Sequence, residues 1–224
     1  MPLEIEVKFL DADHAALRER LAALDAQYVG RWFEANIVFD DALRSLKAAG
    51  TLLRLRERSG RVVLTLKRAV GDTAPASATV NAKVNAKVNA KIYDETETDV
   101  ADASGMRAIL AGLGFNPALR YEKIRETWTL LGCEVCLDTL PFGDFVEIEG
   151  SGEDISACAK TLALPQDRAS TATYHDLNRQ AREAVGAAPD ESFVFGAAVK
   201  ACLLAELATD LFAPAPLDRR PRSA

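Results

Sequence analysis

A chain of 224 residues with 49% hydrophobic side chains can bury a substantial core, as one large β-rich domain or two small ones. Its formal net charge of −6 argues against general nucleic-acid binding but leaves local phosphate recognition open. No run approaches the ~18 consecutive apolar residues of a membrane helix, and the N-terminus enters a strand without a signal-peptide pattern, so a cytoplasmic location with no membrane partner is expected.

Residues 3–10 read as a strand and 13–26 as an amphipathic helix with Leu17, Leu21 and Leu24 at helical spacing, capped by Asp11 or Asp13. Residues 28–40 read as one or two strand pieces, and 42–49 as a short helix ending at Gly50. Strands over 51–58 and 61–68 meet at Ser59-Gly60, a two-residue hairpin signal. Residues 70–91 hold three tandem copies of Val-Asn-Ala-Lys, read as a loop insertion because surface loops tolerate added length. A strand over 92–100, a helix over 104–113 and strands over 118–131, 133–139 and 144–149 follow. Helices are expected over 153–163 (capped by Asp154), 175–186 and 190–212, then a polar, proline-containing tail. The chain is expected to hold one main domain over 1–184, a helical appendage over 185–212 and a disordered tail over 213–224. The appendage is strongly apolar and could pack on its own domain or on a second copy, giving a possible homodimer.

The strands share one peculiarity. Glu4-x-Glu6-x-Lys8 alternates with Ile5, Val7 and Phe9, so one face is charged and the other apolar. The same alternation recurs at Arg54/Arg56, Lys67, Glu95/Glu97, Lys123/Arg125 and Glu147/Glu149. Charged faces on many strands suggest a closed sheet with a polar interior, and about eight strands leave room for one small ligand. The expected interior acids are Glu4, Glu6, Glu95, Glu97, Asp138, Glu147 and Glu149. The expected interior bases are Lys8, Arg54, Arg56, Lys67, Arg120, Lys123 and Arg125. Such a lining is costly to bury unless it is paired or ligated. Carboxylates suit a hard divalent cation and the bases suit phosphate oxygens, so together they fit a metal–polyphosphate complex.

Other residues read as ordinary. The cysteines are expected to be buried or half-buried thiols, with Cys133 and Cys136 on opposite strand faces. Arg58 and Arg61 flank a hairpin and read as solvated. Trp32 and Phe33 read as packing residues rather than as a stacking platform, Trp128 as structural, and His14 and His175 as non-catalytic.

In order along the chain, Glu4-x-Glu6-x-Lys8, Asn36–Asp40, Leu52–Arg56, Leu64–Lys67, Glu95-x-Glu97, Lys123-x-Arg125, Leu137-Asp138, Phe145–Glu149 and Tyr174–Leu177 resemble the CYTH superfamily of triphosphate tunnel metalloenzymes. The resemblance covers about residues 2–180. It implies an α+β fold: an eight-stranded antiparallel β-barrel with flanking helices, binding a triphosphate with Mg²⁺ or Mn²⁺. Carried onto this chain, Glu4, Glu6 and Glu149, with Glu147 close by, hold the main metal. Lys8, Arg54, Arg56, Lys67, Lys123 and Arg125 clamp phosphates, and Glu95, Glu97 and Asp138 support a second metal or orient the attacking group. The activity expected is a metal-dependent triphosphatase acting on inorganic triphosphate, thiamine triphosphate or a nucleoside triphosphate. An adenylate cyclase of class IV type and a non-catalytic polyphosphate-binding module are the alternatives.

Overall fold

The computed structural model describes residues 3–69, 82–84 and 88–209, except for the side chains of residues 3, 4, 82–84 and 88–92. In chain order the first half holds β1 (Leu3–Phe9), α1 (His14–Ala23), β2 (Gln27–Asp40), α2 (Ser45–Ala48), β3 (Thr51–Arg58), β4 (Arg61–Ala69), β5 (Ala82–Val84) and β6 (Val88–Asp99). The second half holds α3 (Ala103–Gly112), β7 (Asn116–Leu130), β8 (Cys133–Leu140), β9 (Gly143–Glu149), α4 (Gly152–Thr161), β10 (Ala169–Ser170), α5 (Tyr174–Ala184) and α6 (Ala197–Thr209).

Antiparallel pairing runs β1-β9-β8-β7-β2-β3-β4-β6, and β6 returns to β1 through Leu3↔Asp94 to Glu6↔Lys91. That last pairing closes an eight-stranded barrel and leaves the ring without a free edge. The edge of β1 is shared: Leu3–Glu6 pairs with β6, and Lys8 and Phe9 pair with β10. Ser59 and Gly60 both take positive φ, as a tight hairpin with the twist of its strands requires.

The apolar core lies outside the barrel wall. Val7, Phe9, Val135, Leu137, Val146 and Ile148 point outward and pack under α1 and α4, against Leu17, Leu21, Ile155 and Leu162. Phe39, Leu53 and Leu55 pack under Leu110 of α3. The interior is left to the alternate, charged positions of the same strands.

Several expectations shift. The 70–91 segment is not wholly loop: Ala82–Val84 and Val88–Ala90 form a hairpin with Ala82↔Ala90 and Val84↔Val88 in register. The repeat unit alternates apolar Val and Ala with polar Asn and Lys, which suits a strand. Helix α4 is capped by Ser151, whose hydroxyl accepts from the Asp154 amide, rather than by Asp154. The apolar run at 190–212 is not one helix. Phe193 instead adds a short bridge to β7, with its amide donating to the Arg120 carbonyl (3.0 Å) and the Glu122 amide to its carbonyl (2.9 Å). Helix α6 starts only at Ala197 and lies against β2, leaving Cys202 exposed, unlike the other three cysteines.

Candidate functional site

The inward side chains line a cavity of about 1760 Å³ that runs through the barrel. By strand order, β1 and β9 lie across the ring from β2 and β3. The first wall is acidic and carries Glu6, Glu147 and Glu149. One carboxylate oxygen from each lies within 4.8 Å of the others, the one such group of His, Cys, Asp or Glu among the described residues. Three close oxygen donors suit a hard divalent cation. Glu4 lies in β1 opposite Tyr93, and its side chain falls outside the described residues.

Cations surround this acidic group. Lys8 Nζ bridges Glu6 Oε1 (2.7 Å) and Glu147 Oε2 (3.0 Å), and Arg125 reaches Glu147 (3.2 Å) and Glu149 (3.7 Å). Burial pushes the Glu147 carboxyl up, but Lys8, Arg125 and Lys123 outweigh it and hold the group well below the usual carboxylate range. Burial likewise opposes the charge on Lys8, while Glu147 and Glu6 raise its pKa above its ordinary value.

The facing wall is basic. Arg54, Arg56 and Arg58 stand on successive inward rungs of β3, beside Lys67 on β4 and Lys123 and Arg125 on β7. Arg54 donates to the Tyr121 hydroxyl (3.0 Å) and Thr65 (3.3 Å), and Arg56 donates to Glu97 (2.8 Å). Lys67 Nζ lies 3.4 Å from Glu95 and 3.6 Å from Glu6. Glu95 and Glu97 therefore line the cavity as expected, but they do not join Asp138 in a second carboxylate cluster.

Two residues expected on the interior do not line the cavity. Asp138 has no solvent exposure and is not among the residues that line the cavity. Its oxygens accept from Arg125 (2.8 and 2.6 Å), Lys123 (3.0 Å) and the Tyr174 hydroxyl (2.8 Å), so it ties Lys123 and Arg125 together behind the lining. Arg120 is exposed on the outer face, because it stands three residues before Lys123 and strand alternation turns it outward.

Sequence reasoning missed three residues. Glu34 of β2 has no solvent exposure, and its carboxylate lies 3.7 Å from Arg56, 3.8 Å from Arg58 and 3.8 Å from Lys123. Burial raises its pKa, but Lys123, Arg56, Arg125 and Arg54 prevail and bring it to about 2. Tyr174 opens α5, whose start is fixed by a reciprocal Thr173–Asp176 capping box. Its ring lies under Lys8 (5.1 Å) and Lys123 (5.6 Å). Arg58, read from sequence as solvated, lines the cavity. The sequence signals were slight: a lone acid in an aromatic-rich strand, a helix start, and an arginine in phase with Arg54 and Arg56.

Elsewhere on the lining, Phe193 packs on Tyr121 and His175, and Glu191 pairs with Arg44 and Lys47 of the α2 segment. His175 is half-buried here, and its Nδ1 lies 3.2 Å from the Glu191 carbonyl. Burial pulls its pKa below the ordinary value.

Comparison with known proteins follows the same lines. The CYTH domain family model matches residues 2–174. A Methanocaldococcus jannaschii protein named "Putative adenylate cyclase" is 27% identical over 161 residues, covering 71% of this chain and 83% of its own. A Vibrio parahaemolyticus structure bearing the same description superposes with a TM-score of 0.64 at 19% identity, over 79% of this chain and 97% of that one. A Hippeastrum adenylyl cyclase homologue, described as having a dominant triphosphatase activity, superposes at 0.54 with 18% identity, over 85% and 99% of the two chains. At these identities the two structures show a shared fold. The chain belongs to the CYTH domain family.

Proposed function

We propose that this CYTH-domain protein hydrolyses a triphosphate held lengthwise in the barrel, with Mg²⁺ or Mn²⁺ on the acidic wall. The observation that carries this reading is the pairing of walls: Glu6, Glu147 and Glu149 on one side, Arg54 and Arg56 on the other, with Lys67, Lys123 and Arg125 flanking the space between them. A binding module for an anion alone needs the second wall and not the first. A bound divalent ion would neutralise phosphoryl oxygens and polarise the phosphorus under attack.

The residues divide the remaining work. Glu6, Glu147 and Glu149, with Glu4 next in line on β1, would hold the ion. Lys8 bridges Glu6 and Glu147, helps keep Glu147 ionised, and stands ready to meet a phosphoryl oxygen. The arginines and lysines of the facing wall fix the phosphate chain and balance charge that moves onto the leaving group. Glu95 and Glu97 lie beside this wall, and Glu97 (side chain 41% exposed) has the better access to orient an attacking water. Asp138 and Tyr174 act as positioning residues for Lys123 and Arg125.

The cyclase reading draws on the name carried by the Methanocaldococcus jannaschii relative, and the same walls would serve it. Product analysis separates the two. The purified protein is incubated with Mg²⁺ or Mn²⁺ and, in turn, inorganic triphosphate, thiamine triphosphate and ATP. Orthophosphate release supports the hydrolase and identifies its substrate. Cyclic AMP with pyrophosphate replaces it with the cyclase, and tight binding without any product replaces it with a binding module.

A further inference from the structure

The three arginines of β3 are not equivalent. Arg54 and Arg56 each donate hydrogen bonds within the barrel, whereas Arg58 donates none among the described residues. Among the described residues its one acidic neighbour within ion-pair distance is Glu34, at 3.8 Å. That carboxylate also lies within 3.8 Å of Arg56 and Lys123, which have closer partners in Glu97 (2.8 Å) and Asp138 (3.0 Å), whereas Arg58 has no second acid among the described residues. Burial lowers the Arg58 pKa from its ordinary value, and the charges of Arg56, Arg125 and Arg61 add to this against the opposing Glu34.

Arg58 is nevertheless held firmly. Its guanidinium lies over the Trp32 ring, 4.3 Å from the centroid. The Trp32 indole N–H donates to Glu34 Oε1 at 3.2 Å. Gly30 also lies close to Trp32, since an added Cβ there would stand 2.4 Å from the ring. The indole thus has a fixed place in which it carries the arginine on its face.

The spacing of the ladder says what the third rung is for. Alternate residues on a strand stand about 6.7 Å apart, so Arg54 to Arg58 spans about 13 Å. Neighbouring phosphorus atoms are joined by two P–O bonds, which cover only about half of one rung of this strand. A triphosphate seated against Arg54 and Arg56 thus ends before Arg58.

We propose that Arg58 is a substrate-binding residue for a phosphoryl group beyond the third, so that the barrel prefers linear inorganic polyphosphates longer than triphosphate. This rests on the reading of the barrel as a phosphate-chain site. Trp32 is the positioning residue for Arg58.

The test is equilibrium binding of inorganic triphosphate and inorganic tetraphosphate, measured calorimetrically with EDTA present to prevent turnover. Wild-type protein is expected to bind tetraphosphate about tenfold more tightly, the scale of one charge-assisted contact. Arg58→Gln and Trp32→Leu should bring that ratio close to one, and Trp32→Phe, which keeps an aromatic ring under the guanidinium, should restore most of it. Equal affinities in the wild type, or a ratio unchanged by Arg58→Gln, overturn the inference. Thermal unfolding of each variant identifies a misfolded one, and the ratio is then read on Arg58→Lys, which keeps the charge and loses the stacked plane. Orthophosphate release by the wild type with Mg²⁺ is scored separately, so failure of the hydrolase reading is not confused with failure of the Arg58 assignment.

Discussion

Replacing Glu34 by Gln tests the electrostatic logic of the barrel directly. The folded protein holds this carboxyl at about 2 against an ordinary 4.5. A difference of about 2.5 units corresponds to about 3 kcal/mol of stabilisation at neutral pH. The cost of removing one partner from a buried ion cluster, about 3–5 kcal/mol, gives the same scale independently. For a chain of this size each kcal/mol moves the melting temperature by about 2–4 °C, so Glu34→Gln should melt about 6–12 °C below wild type. Its response to ligand should be the reverse. With Glu34 neutral, Arg56, Arg58 and Lys123 lose their shared counter-charge, and inorganic triphosphate should raise the melting temperature more in the variant than in the wild type. The wild type offers a matching pH experiment. A depressed carboxyl pKa contributes stability that is fully present above 4.5 and is lost as pH falls from 4.5 toward 2. Thermal and urea unfolding, with and without triphosphate, read all of these. A variant as stable as wild type, or one that gains no more from triphosphate, would show that Glu34 is not the counter-charge described.

Other substitutions probe separate parts of the barrel. Glu147→Gln should lower metal-dependent turnover by about 100-fold or more and remove the thermal stabilisation conferred by Mn²⁺; retention of both would displace the ion from the acidic wall. Tyr174→Phe deletes the hydroxyl that donates to Asp138 and should cost about 1–3 kcal/mol, with a raised KM for triphosphate; unchanged unfolding and KM would remove Tyr174 from the support of the clamp. Phe193→Ala empties the contact with Tyr121, Phe142 and His175 and should cost about 3–5 kcal/mol in urea unfolding. A cost near zero would mean that the segment after α5 merely lies on the barrel.

Most of the barrel was legible because its signal is periodic. Glu6/Lys8, Arg54/Arg56, Lys123/Arg125 and Glu147/Glu149 sit two apart, and parity alone sends them to one face. Parity also contained the answer for Arg120, which is out of phase with Lys123, and for Arg58, which is in phase with Arg56. Chemical type and closeness to a hairpin had outweighed phase in those two readings. Asp138 was correctly placed on the inner side, but depth is a tertiary property, and nothing local says that three donors cover it. The 190–212 run was misread because apolar content does not distinguish a helix from an extended segment that completes an uncovered strand. β8 pairs with β7 only from Ile124 onward, so Arg120 to Glu122 remain free to accept Phe193.

The Val-Asn-Ala-Lys hairpin leads into β6, the strand that carries Glu95 and Glu97 to the lining. Its repeat unit has four residues, an even number, whereas side chains alternate with a period of two. Gain or loss of a whole copy therefore lengthens or shortens the hairpin without reversing which side any later residue faces. A one-residue insertion in the paired part of β6 would have to be absorbed as a bulge or would turn Glu95 and Glu97 out of the barrel. A change by whole copies thus leaves the phase of the lining untouched.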